Sequence, residues 1–187
     1  HLAGLSSVGS SFDRPQDYID LNSSMVTNMA EYYLRTGAAS PRFVVISSGT
    51  VYSPDQDMPL TEDSEFGVSS PYVISKLLVE NQCAYYRSRG LDFVVMRPFN
   101  HIGPGQGPGF LVPDMIEQLR EAGDEIMVGN IRTRRDYTDV RDVAAAYRNV
   151  ATAEKLDHDT YNVCSGKSVE GKDIIDALKK IMGKDHV

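Results

Sequence analysis

The sequence predicts an α/β protein whose core is a partial doubly wound parallel sheet. Two observations carry that expectation. Short β-branched runs alternate with longer stretches of helical periodicity, and Leu91–Arg97 has the near-continuous apolar character of a strand covered on both faces. No internal repeat or low-complexity tract interrupts the alternation. With 187 residues and 41% hydrophobic content, the chain is long enough for one core of ordinary size, so one domain and part of another are expected.

From Tyr18 to Arg35, apolar residues at Met25, Val26, Met29, Tyr32 and Tyr33 follow helical spacing and stop before Gly37. Arg42 to Ser47 reads as a β-branched strand. Tyr52 to Ser70 is a long loop rich in Pro, Asp, Glu and Ser, and loops of that length usually carry function or move. Pro71, with its fixed φ and missing N–H, suits the first position of a helix that runs from Tyr72 to Arg89 and closes at Gly90. Leu91–Arg97 is the second strand. Beyond it the pattern predicts a helix over Phe110–Glu121, an extended segment over Glu125–Val128, a helix over Val140–Thr152, an extended segment over Thr160–Cys164 and a helix over Val169–Met182.

The net charge of −7 argues against a nucleic-acid or anionic-membrane surface. The one basic cluster, Arg132-Thr133-Arg134-Arg135, suits a diphosphate or a solvated turn. Cys83 and Cys164 lack the spacing of a zinc site and sit among apolar neighbours, so buried free thiols are expected and no metal. With neither a signal peptide nor a long apolar run, the expected location is cytoplasmic, with no membrane partner.

Tyr72 and Lys76 stand four residues apart at the start of the helix opened by Pro71, one above the other on one face. An ammonium beside a phenol favours the phenolate. Lys76 is therefore expected to pull the Tyr72 hydroxyl from its ordinary value of about 10 towards neutrality, where it can pass a proton in either direction. Ser48, in Ser47-Ser48-Gly49-Thr50 at the carboxyl end of a strand, is placed to hydrogen-bond an oxygen being protonated. The other reading is a helix start followed by an ordinary surface lysine, since Tyr-x-x-x-Lys also arises by chance.

Six blocks extend this pattern: His1–Val8 with Pro15 and Tyr18-Ile19-Asp20-Leu21-Asn22, then Ser47–Tyr52, Tyr72–Lys76, Met96–Asn100, Arg134–Val140 and Tyr161–Gly166. In this order and spacing they resemble the extended short-chain dehydrogenase/reductases, a group of nucleotide-sugar epimerases, dehydratases and reductases. The resemblance covers nearly the whole chain. It implies a Rossmann-like cofactor domain, with residues 1–100 as its carboxyl-terminal portion, and a substrate-binding region with interleaved Rossmann-like elements over 101–187. It also implies NAD or NADP as cofactor, a nucleotide-diphosphate sugar as substrate, and a homodimer through helices 17–35 and 72–89. Tyr32, Tyr33, Tyr85 and Tyr86 would contribute to that dimer, with core packing as the other account of them.

By the same resemblance Ser48, Tyr72 and Lys76 are catalytic. Ala3, Gly4, Asn22 and Pro98 would join Tyr72 and Lys76 in holding the cofactor, with Asn22 supporting Lys76 through water. Ser6, Thr50, Asn100, Val112 and Arg135 would face the sugar nucleotide. The planar fork of Arg135 suits a phosphate pair, although Asp136 is placed to neutralise it. Members of the group open with a glycine-rich strand-turn-helix that receives the cofactor pyrophosphate. This sequence instead begins within what would be the fourth strand, and Gly103–Gly109 carries two prolines and reads as a substrate-side loop. The expectation is a piece of a longer protein, inactive alone.

Dehydratases of the group carry an acidic residue where this chain has Thr50, so water elimination lacks its acid or base. The run Arg97–Phe110 with Val112-Pro113, and Gly129-Asn130 ahead of Arg135, resembles reductases acting on GDP-4-keto-6-deoxy sugars. Reduction at C4 of a GDP-4-keto-6-deoxyhexose is therefore expected. A UDP-hexose 4-epimerase, which Ala3-Gly4-Leu5 resembles, and a non-catalytic binding or scaffold relative remain as alternatives.

Overall fold

The computed structural model describes residues 1–121, 123 and 125–187. The chain forms two compact units, one of residues 1–99 and 144–163, the other of residues 100–143 and 164–187.

In the first unit a short helix, α1 (Val8–Asp13), leads into α2 (Pro15–Thr36), with Pro15 at its start. Gly37, at φ 64°, closes α2 in the left-handed region and returns its N–H to the Tyr33 carbonyl, a conformation that favours glycine. Strand β1 (Phe43–Ile46) ends in a 3-10 turn at Gly49–Val51. Helix α3 (Pro71–Ser88) then begins where Ser70 accepts the Val73 N–H and Pro71 takes the first position. Strand β2 (Phe93–Pro98) is buried along its whole length. The middle of the chain supplies α5 (Val140–Thr152), which enters the first unit at Ala144, and the unit closes with β5 (Thr160–Val163).

The sheet is parallel in the order β1-β2-β5, with Phe43 opposite Phe93 and Val95 opposite Thr160. Burial of β2 follows from that order, since it has a strand on each edge. Helices α2 and α3 pack on each other and bury Val26, Ala30, Val79, Cys83 and Tyr86 with Phe43, Val45, Phe93 and Val95 of the sheet. Phe43 stacks on Phe93 with ring centroids 4.5 Å apart. One charged pair lies inside this unit: Arg97 and Glu80, whose side chains are 6% and 10% exposed. The Arg42 guanidinium caps the end of α5, donating to the carbonyls of Val150 and Ala153.

The second unit holds β3 (Asn100–Ile102), α4 (Leu111–Glu121), β4 (Arg134–Asp139), β6 (Ser168–Glu170) and α6 (Gly171–Met182). Its sheet runs β3-β4-β6, parallel between β3 and β4 and antiparallel between β4 and β6. Helices α4 and α6 pack together.

Four expectations are corrected. Residues 125–128 form no strand, and Met127 is 87% exposed, so neither a ladder nor a buried face holds the segment extended. Strands β3, β4 and β6 were not expected, because their polar sequences carry no alternating apolar face and they exist by pairing with one another. Residues 1–7 form no strand; the His1 backbone nitrogen donates to the Val44 carbonyl at 2.8 Å. Cys83 is buried as expected, with its thiol pushed up to about 12 by burial, but Cys164 is exposed just beyond the end of β5.

Candidate active site

Ser47 and Ser48 leave the carboxyl end of β1, where open α/β sheets place ligands. The Ser47 N–H donates to the Met96 carbonyl of β2 at 2.8 Å, which prolongs the ladder by one residue. Ser48 caps the following turn: its hydroxyl accepts the Thr50 N–H at 3.2 Å and shares a hydrogen bond with the Thr50 hydroxyl at 2.9 Å. A Cβ on Gly49 would come within 2.8 Å of the Phe99 ring, so the tightness of this turn requires glycine.

Tyr72 and Lys76 occupy the first turns of α3, as their spacing requires. The Lys76 ammonium donates to the Ile46 carbonyl at 2.8 Å and lies 5.7 Å from the centre of the Tyr72 ring. That ring also meets Tyr18 edge-on, with centroids 6.3 Å apart, and Val73, Leu5 and Leu77 complete the cluster. Ser48, Tyr72 and Lys76 are 8%, 7% and 9% exposed. One strand end and one helix start therefore bring the three expected catalytic residues together.

Their ionisation differs from the expectation. Burial is the largest influence on Tyr72 and raises its phenol above the ordinary value; a hydrogen bond from Ser48 opposes this without reversing it. Burial also lowers the Lys76 ammonium to about 8, against the attraction of Glu80. The site disfavours charge on both groups, and the Lys76 cation is directed at the Ile46 carbonyl. Tyr72 is thus held as a neutral phenol.

A test follows from the sign of the lysine shift. The folded value of about 8 lies below the ordinary 10.5, so between these limits the unfolded chain binds a proton that the folded chain has released. The contribution of Lys76 to stability is complete above about pH 10.5 and is lost as pH falls through 8. Urea titrations of wild type and Lys76→Met should show the difference between them changing by about 3 kcal/mol across this window. A constant difference would show that Lys76 is not desolvated.

The remaining expected residues divide between the units. Ala3, Gly4 and Ser6 are exposed in the opening segment. Gly4 adopts φ 146°, and a Cβ there would meet the Asn22 Oδ1 at 2.8 Å. Asn22 is buried; it accepts the Leu5 N–H and donates to the Leu5 carbonyl and the Ser75 hydroxyl. Its amide therefore ties the opening segment to α3 beside Lys76. Pro98 ends β2, next to β1 in the sheet. Asn100, Val112 and Arg135 belong to the second unit, at the starts of β3, α4 and β4.

Asp136 does not neutralise Arg135. Neighbouring strand residues point to opposite faces, and the Asp136 carboxylate accepts from the Ser165 N–H, the Ser165 hydroxyl and the Gly166 N–H. Arg134 is held by Ser168 and Glu170, while Arg135 donates to the Arg134 carbonyl. Sequence reasoning passed over Glu80, although its place four residues after Lys76 was a legible signal. It also gave no role to Tyr147, whose phenol is raised to about 12 by burial and then by Tyr72.

A family model described as the NAD dependent epimerase/dehydratase family matches residues 1–164. The chain belongs to that family. Among curated proteins of the family, it is 32% identical over 189 residues to the GDP-6-deoxy-D-mannose reductase of Pseudomonas aeruginosa, covering 97% of this chain and 62% of that protein. Among solved structures, it aligns with RMD from Pseudomonas aeruginosa complexed with NADPH at a TM-score of 0.89 and 32% identity, covering 98% of this chain and 65% of that one. It aligns at 0.86 and 28% identity with the UDP-glucose 4-epimerase of Thermotoga maritima bound to UDP-glucose, covering 99% and 60%. The chain thus spans under two thirds of these family members.

Proposed function

We propose that the protein to which this chain belongs is an NAD(P)-dependent nucleotide-sugar reductase acting at sugar C4 on a GDP-4-keto-6-deoxyhexose. The gathering of Ser48, Tyr72 and Lys76 at one strand end carries the reading. Bound nicotinamide cofactor supplies the hydride. Tyr72 gives its proton to the carbonyl oxygen as the alcohol forms, and Ser48 hydrogen-bonds that oxygen. Lys76 has three N–H donors, of which the Ile46 carbonyl takes one, so it suits a cofactor ribose hydroxyl. Pro98, at the end of the adjacent strand, offers an apolar surface to a nicotinamide ring. The neutral state of Tyr72 fits a residue that must donate in reduction.

A 4-epimerase would use the same three residues and return the hydride to the same sugar. The likeness of Arg97–Phe110 to GDP-sugar reductases and the similarity to the Pseudomonas aeruginosa reductase favour reduction. Thr50, hydrogen-bonded to Ser48 where dehydratases carry an acid, disfavours elimination. Incubating full-length protein with GDP- and UDP-hexoses and both cofactors, in reduced and oxidised forms, tests the reading. Consumption of NADPH or NADH with a GDP-4-keto-6-deoxyhexose supports it; interconversion of UDP-hexoses without net redox overturns it.

A second copy of the chain is the proposed partner. Exposed apolar residues form one stripe on each of two adjacent helices, Leu21 and Tyr32 on α2 and Ile74, Leu78 and Tyr85 on α3. Tyr86 is buried in the core and Tyr33 packs against it, so of the four tyrosines only Tyr32 and Tyr85 are available to such a contact. Leu78→Glu is expected to halve the mass measured by light scattering with unchanged circular dichroism. Equal masses for variant and wild type would exclude this face.

A further inference from the structure

Tyr72, Lys76 and Glu80 follow one another at four-residue steps along α3, so the stripe that carries the proposed acid carries a carboxylate two turns later. The Glu80 Oε1 accepts from the Ser47 hydroxyl and, at 3.0 Å, from Arg97 Nε; its Oε2 accepts from Arg97 Nη2 at 2.7 Å. Ser47 immediately precedes Ser48, and Arg97 immediately precedes Pro98. One carboxylate therefore grips the residue before each of two strand-end groups of the proposed site. It does so from the helix that holds the other two.

The grip is rigid on its far side as well. Arg97 Nη1 donates to the Tyr52 hydroxyl at 2.7 Å and to the Glu62 carbonyl at 2.9 Å, and the guanidinium lies over the rings of Tyr52 and Phe66 at 5.1 and 4.8 Å. A bidentate pair fixed at both ends defines an orientation as well as a distance. Glu80 is also the charge that acts on Lys76, favouring its ammonium against burial. A carboxylate that only filled space in the core would need none of these relations to the site.

We propose that Glu80 is a positioning residue: it fastens the carboxyl ends of β1 and β2 to α3 and so sets where Ser48 and Pro98 stand relative to Tyr72 and Lys76. This rests on the proposed reductase reading, and the test separates the two. Full-length wild type, Glu80→Gln and Ser47→Ala would be compared by thermal melting, by kcat and KM with NADPH and a GDP-4-keto-6-deoxyhexose, and by NMR titration of the Lys76 side chain, which needs no turnover.

The expected result for Glu80→Gln is a kcat lower by about 10–10²-fold, a KM within about twofold of wild type, and a Lys76 midpoint moved to lower pH. Ser47→Ala, which keeps the ion pair, should fold and lose a smaller part of kcat. A folded Glu80→Gln with wild-type kcat, or with an unmoved Lys76 midpoint, overturns the inference. If Glu80→Gln does not fold, Ser47→Ala decides, and a kcat within about twofold of wild type rejects the proposal. If wild type itself reduces no GDP-sugar, the functional reading fails, and the inference then stands or falls on the NMR midpoints alone.

Discussion

Replacing Tyr72 with Phe in the full-length protein is expected to lower kcat by about 10²–10⁴-fold while nucleotide-sugar affinity holds within about twofold. The ring keeps its place. It stays packed edge-on against Tyr18 and beside Val73 and Leu77, because none of those contacts uses the hydroxyl. What is lost is the phenol hydroxyl that burial keeps neutral and Ser48 hydrogen-bonds, the proposed proton donor. The stability cost is that of a single hydrogen bond, about 0.5–1.5 kcal/mol, too little to unfold an ordinary domain. The effect should therefore lie in kcat and spare binding. A variant that keeps most of its rate would remove Tyr72 from the chemistry, and one that loses binding in proportion to rate would show that the hydroxyl holds substrate.

Arg97→Met should destabilise the first unit by about 3–5 kcal/mol, measured as the midpoint of chemical denaturation. The substitution leaves the Glu80 carboxylate, 10% exposed, with the Ser47 hydroxyl in place of a bidentate guanidinium. It also strips donors from the Tyr52 hydroxyl and the Glu62 carbonyl, and so loosens the loop between β1 and α3. The double variant Arg97→Met/Glu80→Leu removes both charges and should recover most of the loss, because the penalty belongs to the unpaired ion. Equal destabilisation by the single and double variants would place the cost in packing. A loss under about 1 kcal/mol would show that water reaches the pair.

Helices α2, α3, α4 and α5 and the first sheet were legible because their determinants are local. Pro71, Gly37 and Gly90 punctuate the chain, and β2 reads as apolar because it is covered on both faces. The second sheet was not legible. Strand β4 is Arg-Arg-Asp-Tyr-Thr-Asp, with no buried residue, and it is extended because β3 and β6 supply its ladder from either side. Conversely, Glu125–Val128 looked extended and found no such neighbour. In the site, the four-residue spacing of Tyr72 and Lys76 fixed their common face. The direction of the Tyr72 shift depends on how deeply both groups are buried, which spacing alone does not carry. The role of Asp136 likewise turns on Ser165 and Gly166, far away in sequence.

Strand order has a consequence for how the chain is made. Strand β2 is complete at Pro98, but the neighbour on its second edge begins at Thr160. At a ribosomal pace of about 5–20 residues per second, the intervening stretch takes roughly 3–12 s to emerge. Throughout that interval a strand that ends up buried along its whole length shows a raw row of peptide groups to whatever is nearby, a template for strand addition by another nascent chain. Arg42, whose own contacts on Val150 and Ala153 are formed late, is a cation near the start of β1, on the sheet's other flank; on β2 itself the Arg87 guanidinium donates to the Phe93 carbonyl, and its ion-pair partner Asp159 arrives just ahead of β5.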